Sequence, residues 1–306
     1  MSADQTSPIF AYPRLSKSDL LFVRIGGNGL GNLLFTWARA VSTARRHGWH
    51  VVWPTWGSFK PRNWRTNPHD HRTYFDLFSP TDDYVSGLRK PLVLARHRWM
   101  TEAEAATGPV PPGRVVQFRG MEGMFEPFLQ DHALIRQELL AMARPAHSRA
   151  LRNPDRAPIA IHVRRGDFTN RGNQQDTISY NNSMLPIEWY VGALAALREA
   201  AGYEVPADVF SDGTEDELRP LLRCNAVRRA DYGSGLGDMI GLASSRALIA
   251  SGSTFSMWGT FLGQVPTVWH PGKLLQPLLI DTPDHETEWA PCDPPPPWAA
   301  GVLGAG

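Results

Sequence analysis

The run Ile159-Ala160-Ile161-His162-Val163-Arg164-Arg165-Gly166-Asp167 constrains this chain more than any other stretch. Its first five residues are too apolar for a surface and too short for a helix. They predict a buried strand that delivers two guanidinium groups, a glycine turn and a carboxylate to its carboxyl end. Side chains alternate along a strand, so Ile159, Ile161 and Val163 share one face, while Ala160, His162 and Arg164 share the other. Arg165 then points away from Arg164. In open α/β sheets ligands settle just outside the carboxyl ends of the strands, where the planar fork of an arginine suits a phosphate or carboxylate. An anion site is one reading. A solvated ion-pair cluster, with His162 as a structural residue, is the other.

The rest of the second half repeats strand and helix in turn. A helix is expected from Pro186 to before Gly202, a strand over Ala207–Phe210, and a helix opened by the capping box Thr214-x-x-Glu217. A strand over Ala226–Arg229, a helix over Leu236–Ser244, a strand over Arg246–Ala250, a helix opened by Ser251–Ser256, and a last strand over Pro266–Trp269 complete the set. Such alternation implies a parallel sheet with right-handed crossovers. The first half reads as a polar leader, a first strand Leu21–Ile25, a glycine loop Gly26–Gly31 and a helix over 33–46. The strands His50–Trp53 and Val115–Phe118 and a helix over Phe128–Met142 follow. The poorly patterned region from Trp56 to Pro112, mixing aromatic and basic residues, suits a sugar-binding wall or plain surface.

Strand, glycine loop and helix in that order form a phosphate cradle, because glycines let backbone amides approach an anion at a helix amino end. Here the spacing departs from G-x-G-x-x-G, since Asn32 stands at the last position, and no GK[ST] makes a P-loop. The second strand runs into Pro54 and Thr55 instead of the acidic residue that would hold a ribose. That argues against a nicotinamide-dependent oxidoreductase.

Charge and cysteine usage remove other classes. The formal net charge of +1 gives no bulk field for nucleic acid or an anionic membrane. Cys224 and Cys292 lack CxxC or CxxH spacing, which excludes a zinc knuckle and argues against a disulfide framework. The triplet His69-Asp70-His71 has no third ligand type at metal spacing and reads as a polar loop. The leader lacks a basic flank before an apolar run, and no stretch is long and apolar enough to span a bilayer. The expectation is a soluble cytoplasmic protein that can work at a membrane surface without entering it. Proline-rich Arg144–Pro158 marks a linker, so the domains are expected at 1–150 and 151–285, with 286–306 an irregular Pro-rich tail.

Three predicted strand ends collect polar groups: His162, Arg164 and Asp167; Ser211 and Asp212; and Ser251, Ser253 and Thr254. Ser253 and Thr254 read equally as helix caps. Asp238 reads equally as a first-turn residue favoured by the helix dipole and as a ligand contact.

Taken together, Gly26-Gly27-x-Gly29-Leu30-Gly31-Asn32, His162-Val163-Arg164-Arg165-Gly166-Asp167, Phe210-Ser211-Asp212, Asp238 and Ile249–Gly259 resemble, in order and spacing, the bacterial α-1,2-fucosyltransferases. That family shares H-x-R-R-G-D with the α-1,6- and protein O-fucosyltransferases. The resemblance spans about Val23 to Leu262. It implies a GT-B architecture, two Rossmann-like domains facing across a cleft, the carboxyl-terminal one holding the nucleotide sugar. It implies inverting transfer of L-fucose from GDP-L-fucose, without a metal or other cofactor, to a glycan hydroxyl such as O2 of a galactoside.

Carried over by position, the resemblance gives Arg164 the diphosphate, and His162 and Asp212 the nucleotide or its ribose. Asp238 meets the guanine or ribose side. Ser253, Thr254 and Phe255 line the phosphate pocket, and Asn32 reaches the diphosphate from the opposite domain. Asp167 and Asp176 are candidates for the base, although Asp167 could equally hold Arg164. The chain departs from the family at Leu33 (usually Gln), Gly252 (usually Asn) and Met257 (usually Trp). Those departures admit another GDP-6-deoxyhexose such as GDP-colitose as donor. A catalytically idle nucleotide-sugar-binding protein is the remaining alternative.

Overall fold

The computed structural model describes residues 7–59, 73–165 and 184–304, and its chain divides into two compact units, Met1–Arg144 and Pro145–Gly306. The first unit is built on a five-stranded sheet. Its strands are β1 (Phe10–Pro13), β4 (His50–Val52), β6 (Tyr84–Val85), β7 (Arg98–Thr101) and β8 (Arg114–Phe118), in the order β6-β4-β1-β8-β7 and parallel throughout. A small sheet of β2 (Ser18–Asp19), β3 (Arg24–Ile25) and β5 (Ser58–Phe59) stands beside it. Helix α1 (Leu30–His47) buries Leu34, Trp37, Ala38 and Val41 completely and ends on Gly48, whose φ of 67° makes the left-handed turn. Among the described residues the unit also has the shorter helices α2 (Arg89–Arg96), α3 (Glu102–Ala105) and α4 (His132–Met142).

The amino-terminal expectation needs correction. The central strand of this sheet is Phe10–Pro13, wholly buried, where a polar leader was expected. The more apolar run Leu21–Ile25 contributes only the two-residue β3, because Leu21 takes a left-handed φ of 73° that no strand continues through.

The second unit carries β9 (Ile159–Val163), β10 (Ala207–Ser211), β11 (Val227–Arg229), β12 (Ala247–Ile249), β13 (Thr267–Trp269) and β14 (Glu286–Glu288). Their spatial order is β11-β10-β9-β12-β13-β14, with every pairing parallel. Numbered from the unit's own first strand, that order is 3-2-1-4-5-6, the dinucleotide-binding arrangement. Its α-helices among the described residues are α5 (Ile187–Ala201), α6 (Glu215–Leu222), α7 (Gly235–Leu242), α8 (Thr254–Gly263) and α9 (Ala299–Leu303). The expected elements from Ile159 to Trp269 all form, with ends shifted by no more than a few residues.

The alternation inferred for β9 holds in the packing. Ile159, Ile161 and Val163 enter one core with Trp189, Tyr190 and Leu194 of α5. Each such wholly buried aliphatic side chain contributes about 1.5–3 kcal/mol, so truncating Ile161 would cost about 2–5 kcal/mol. The opposite face, with Ala160 and His162, lies under α7 and α8.

Residues 286–304, within the expected irregular tail 286–306, carry regular structure. Strand β14 pairs with β13, while Trp298, Ala299 and Leu303 enter the core around α5. Buried Glu286 makes this possible, since its carboxylate accepts from the Trp269 Nε1–H at 3.2 Å and the Leu279 N–H at 2.9 Å. The prolines 294–297 themselves form no helix or strand.

Candidate functional site

In the 3-2-1-4-5-6 order the strand sequence reverses across the sheet between β9 and β12, the kind of position where open α/β sheets bind ligands at the carboxyl ends of the strands. The second unit places its sequence-predicted polar residues around that switch point. β9 delivers His162 and Arg164. β12 runs into Ser251-Gly252-Ser253 and then α8. The neighbouring β10 ends in Ser211-Asp212.

His162 is buried, and its Nδ1 meets Ser256 Oγ at 2.7 Å and Ser251 Oγ at 3.0 Å. Ser251 Oγ in turn bonds Ser253 Oγ at 3.0 Å, and Ser253 Oγ caps α8 by accepting from the Ser256 N–H at 3.3 Å. The cluster ties the β9 tip to the amino end of α8. Burial, reinforced by the positive charge of Arg164 and only partly offset by Asp212, pushes the imidazole down to about 3. His162 is therefore neutral at any working pH and supplies no cation. Phe255 lies beside it, with ring centroids 5.0 Å apart, and Thr254 is the first residue of α8.

Arg164 pairs with Asp212, whose other carboxylate oxygen accepts from the Arg165 backbone N–H at 2.8 Å. One aspartate thus braces both the guanidinium and the backbone of the β9 tip. Asp212 in turn sits ahead of the Thr214–Glu217 capping box that starts α6. Arg165 departs to the α5 side, donating from Nη1 to the Leu185 carbonyl at 2.9 Å, with its stem against Gly213.

Asp238, in the first turn of α7, accepts from the Tyr232 N–H at 2.8 Å and closes the loop that precedes the helix. Burial raises its carboxyl to about 6. Asn32 lies in α1 of the first unit. Asp167 and Asp176 fall outside the described residues, as do His69, Asp70 and His71. Among the described residues no group of three or more His, Cys, Asp or Glu is arranged to hold a metal ion, and no helix is long and apolar enough to cross a membrane.

Leu33 and Met257, two of the three departures from the fucosyltransferase pattern, are 2% and 1% exposed. Both pack into the interior of their units. Gly252 differs, because it forms the left-handed turn before α8 at φ 71°. Sequence reasoning placed Ser251 and Ser253 with His162 at the strand ends but not their hydrogen-bonded cluster with it, which forms across about ninety residues only through the sheet order. One buried cation it missed. Lys273, 2% exposed, lies at the carboxyl end of β13, where His-Pro-Gly-Lys after the strand was the available signal.

A family model described as Glycosyl transferase family 11 matches residues 118–271, just over half of the chain's 306 residues. The chain belongs to glycosyl transferase family 11. No curated protein sequence matches this family 11 chain. Among solved structures it is similar to POFUT1 in complex with GDP, with a TM-score of 0.52 at 12% identity over 88% of this chain and 99% of that one. It is also similar to the fucosyltransferase NodZ from Bradyrhizobium, with a TM-score of 0.48 at 15% identity over 87% of this chain and 96% of that one. At these identities the likeness to POFUT1 concerns the fold. The family 11 protein accordingly has a two-domain, Rossmann-like α/β fold of the GT-B class.

Proposed function

We propose that this glycosyltransferase moves L-fucose from GDP-L-fucose to a glycan hydroxyl, O2 of a galactoside, with inversion at the anomeric carbon and no metal ion. One observation carries the reading. Arg164 is braced by Asp212 at the switch point, beside the amino end of α8, where a donor diphosphate would sit. The H-x-R-R-G-D resemblance and membership of family 11 support fucose and GDP as the parts of that donor.

As the glycosidic bond breaks, negative charge grows on the departing GDP oxygen. A guanidinium already fixed there stabilises the transition state more than the ground state, which is what lowers a barrier. Asp212 keeps Arg164 aimed without neutralising it for the ligand, since both groups remain partly exposed. The Ser253 turn and the backbone amides opening α8 receive the phosphate oxygens, with Thr254 and Phe255 lining the pocket. Neutral His162 fixes that turn and presents an uncharged ring to the nucleotide. Asp238 takes the guanine or ribose side. Asp167 is the proposed partner in deprotonating the acceptor hydroxyl.

The test is GDP release from GDP-L-fucose with a panel of galactosides, with and without EDTA. Acceptor-stimulated release that is indifferent to chelation is expected. Abolition by EDTA would remove metal independence, and GDP binding without turnover would favour an idle nucleotide-sugar-binding protein.

A further inference from the structure

We propose that the first unit docks on an anionic lipid surface through the apolar tip of its β2–β3 hairpin and the outer face of α2. The inference concerns where the chain works and stands apart from the donor reading.

β2 and β3 pair antiparallel, with Asp19 opposite Arg24, so residues 20–23 form the turn of the hairpin. Water-facing turns are usually filled by glycine, asparagine and aspartate, which take left-handed backbone angles at little steric cost. Here the turn is Leu-Leu-Phe-Val, and Leu21 itself holds φ 73°. Leu20 is 58% exposed and Phe22 is 61% exposed. The turn is held firmly, because the Leu20 N–H donates to the Val23 carbonyl at 2.9 Å and Lys90 Nζ donates to the Leu21 carbonyl at 2.6 Å. Leu21 packs inward on the core of Tyr12, Val52 and Leu94, while its two neighbours face out.

The Lys90 bond sets the start of α2 beside this tip. Lys90 and Leu94 are buried, and Leu88 and Leu92, four residues apart, share the opposite face at 81% and 52% exposed. Single exposed leucines are ordinary. Four large apolar side chains gathered round one bonded turn mark an interaction surface.

Charge decides what covers it. Between Arg14 and Ile25 the only acid is Asp19, and its carboxylate accepts from the Tyr12 hydroxyl at 2.6 Å, the Thr55 hydroxyl at 2.7 Å and the Leu21 N–H at 2.9 Å. From Tyr84 to Thr101 there is no acid, against Arg89, Lys90, Arg96 and Arg98. Exposed Lys17 and Arg89 therefore flank the apolar groups with no exposed carboxylate on either segment. Asp82 and Asp83 precede β6, whereas α2 follows it, so they lie toward the other edge of the sheet. The net charge of +1 supplies no bulk attraction, and the contact needs both local parts. An anionic bilayer meets both: its phosphates face the cations, and its acyl boundary takes projecting side chains without a fitted hollow.

The experiment is co-sedimentation of the full chain with vesicles of phosphatidylcholine alone and of phosphatidylcholine mixed with phosphatidylglycerol. Thermal melting and sedimentation velocity of each protein are measured in free solution. The wild type should bind the mixed vesicles, bind the neutral ones at least about tenfold more weakly, and lose binding as salt rises. The Leu20→Ser/Phe22→Ser chain should lose at least about tenfold in partitioning with an unchanged melting temperature. Leu88→Ser/Leu92→Gln tests the same surface from α2 and should fall by a similar factor, so a tip variant that fails to fold leaves the test standing. Tyr203→Ser/Leu275→Ser alters exposed apolar residues of the second unit and should bind as the wild type does. A wild type that ignores anionic vesicles, tip and α2 variants that bind as it does, or an equal loss in the second-unit variant would overturn the proposal. So would a wild-type dimer that the Leu20→Ser/Phe22→Ser exchange splits, since a second copy would then be the occupant. GDP binding without vesicles, measured alongside, tests the donor reading separately.

Discussion

Arg39 in the first unit and Arg164 in the second show how one side chain serves two ends. Arg39 is 1% exposed, and its guanidinium engages both oxygens of Glu102 at 3.0 Å, Glu122 at 2.8 Å and the carbonyls of Arg119, Gly120 and Glu122. The charge is spent on tying α1 to the segment after β8. Arg164 sits at a sheet's topological switch point, 22% exposed, with Asp212 bracing it. A cation enclosed by fixed acceptors is structural. A partly exposed cation at a strand tip beside a switch point is placed for a ligand.

The sharpest break of that comparison is Arg164→Ala. Losing a fixed donor to a developing anion costs about 2.7–4 kcal/mol of barrier, roughly a hundred- to thousand-fold in kcat/KM, with little change in melting temperature. Arg165→Ala should cost far less activity, because Arg165 serves the α5 side. Equal activity losses would mean that the strand alternation does not separate their roles.

Arg39→Ala should do the reverse. Breaking a buried pair leaves carboxylates without their partner and costs about 3 kcal/mol, the low end of the range because Glu102 and Glu122 remain 36% and 71% exposed. A urea titration reads it. Protein that stays folded should keep its GDP affinity.

A third contrast is in pH. His162 falls from 6.5 to about 3 on folding, so the unfolded chain binds the proton more readily. The stability it supports is complete above pH 6.5 and is lost as pH falls toward 3, about 2 kcal/mol of it by pH 5. His162→Gln should flatten that acid slope in denaturation midpoints taken between pH 7.5 and 4.5. Asp238 runs the other way: raised from 3.8 to about 6, its contribution is present below 3.8 and lost as pH rises through 6. Asp238→Asn should therefore steepen the acid slope, and the same sign in both variants would contradict this account.

What the sequence revealed follows the range of the forces involved. β9 was legible because five alternating buried residues are a local pattern, and the box opening α6 because Thr214 and Glu217 are three residues apart. The first strand was not. Phe10-Ala11-Tyr12-Pro13 looks weaker than Leu21–Ile25, and only the neighbours β4 and β8 decide between them. β14 was hidden for a similar reason, since Glu-Thr-Glu reads as surface until Trp269 and the backbone at Leu278–Leu279 supply partners for Glu286. At the site, Arg164 and Asp212 could be named from spacing and resemblance. The bond between them, and the serines around His162, depend on which strands become neighbours.

The smallest effect is also the finest test of how the two units differ. Each carries a complete capping box, Thr101 with Glu104 at α3 and Thr214 with Glu217 at α6. In both, accepting a backbone N–H holds the glutamate below its ordinary range. Replacing an N-cap threonine by alanine costs about 1 kcal/mol in a helix that matters to the fold. Thr214→Ala should show that loss in thermal melting. It should also lower kcat/KM by a few-fold, because Thr214 stands two residues from Asp212 and the α6 start fixes the turn from which Asp212 braces Arg164. Thr101→Ala, at a four-residue helix in the other unit, should lower stability by no more and leave kcat/KM unchanged. If both caps alter turnover alike, the effect comes from general loosening, and Asp212 does not position the arginine.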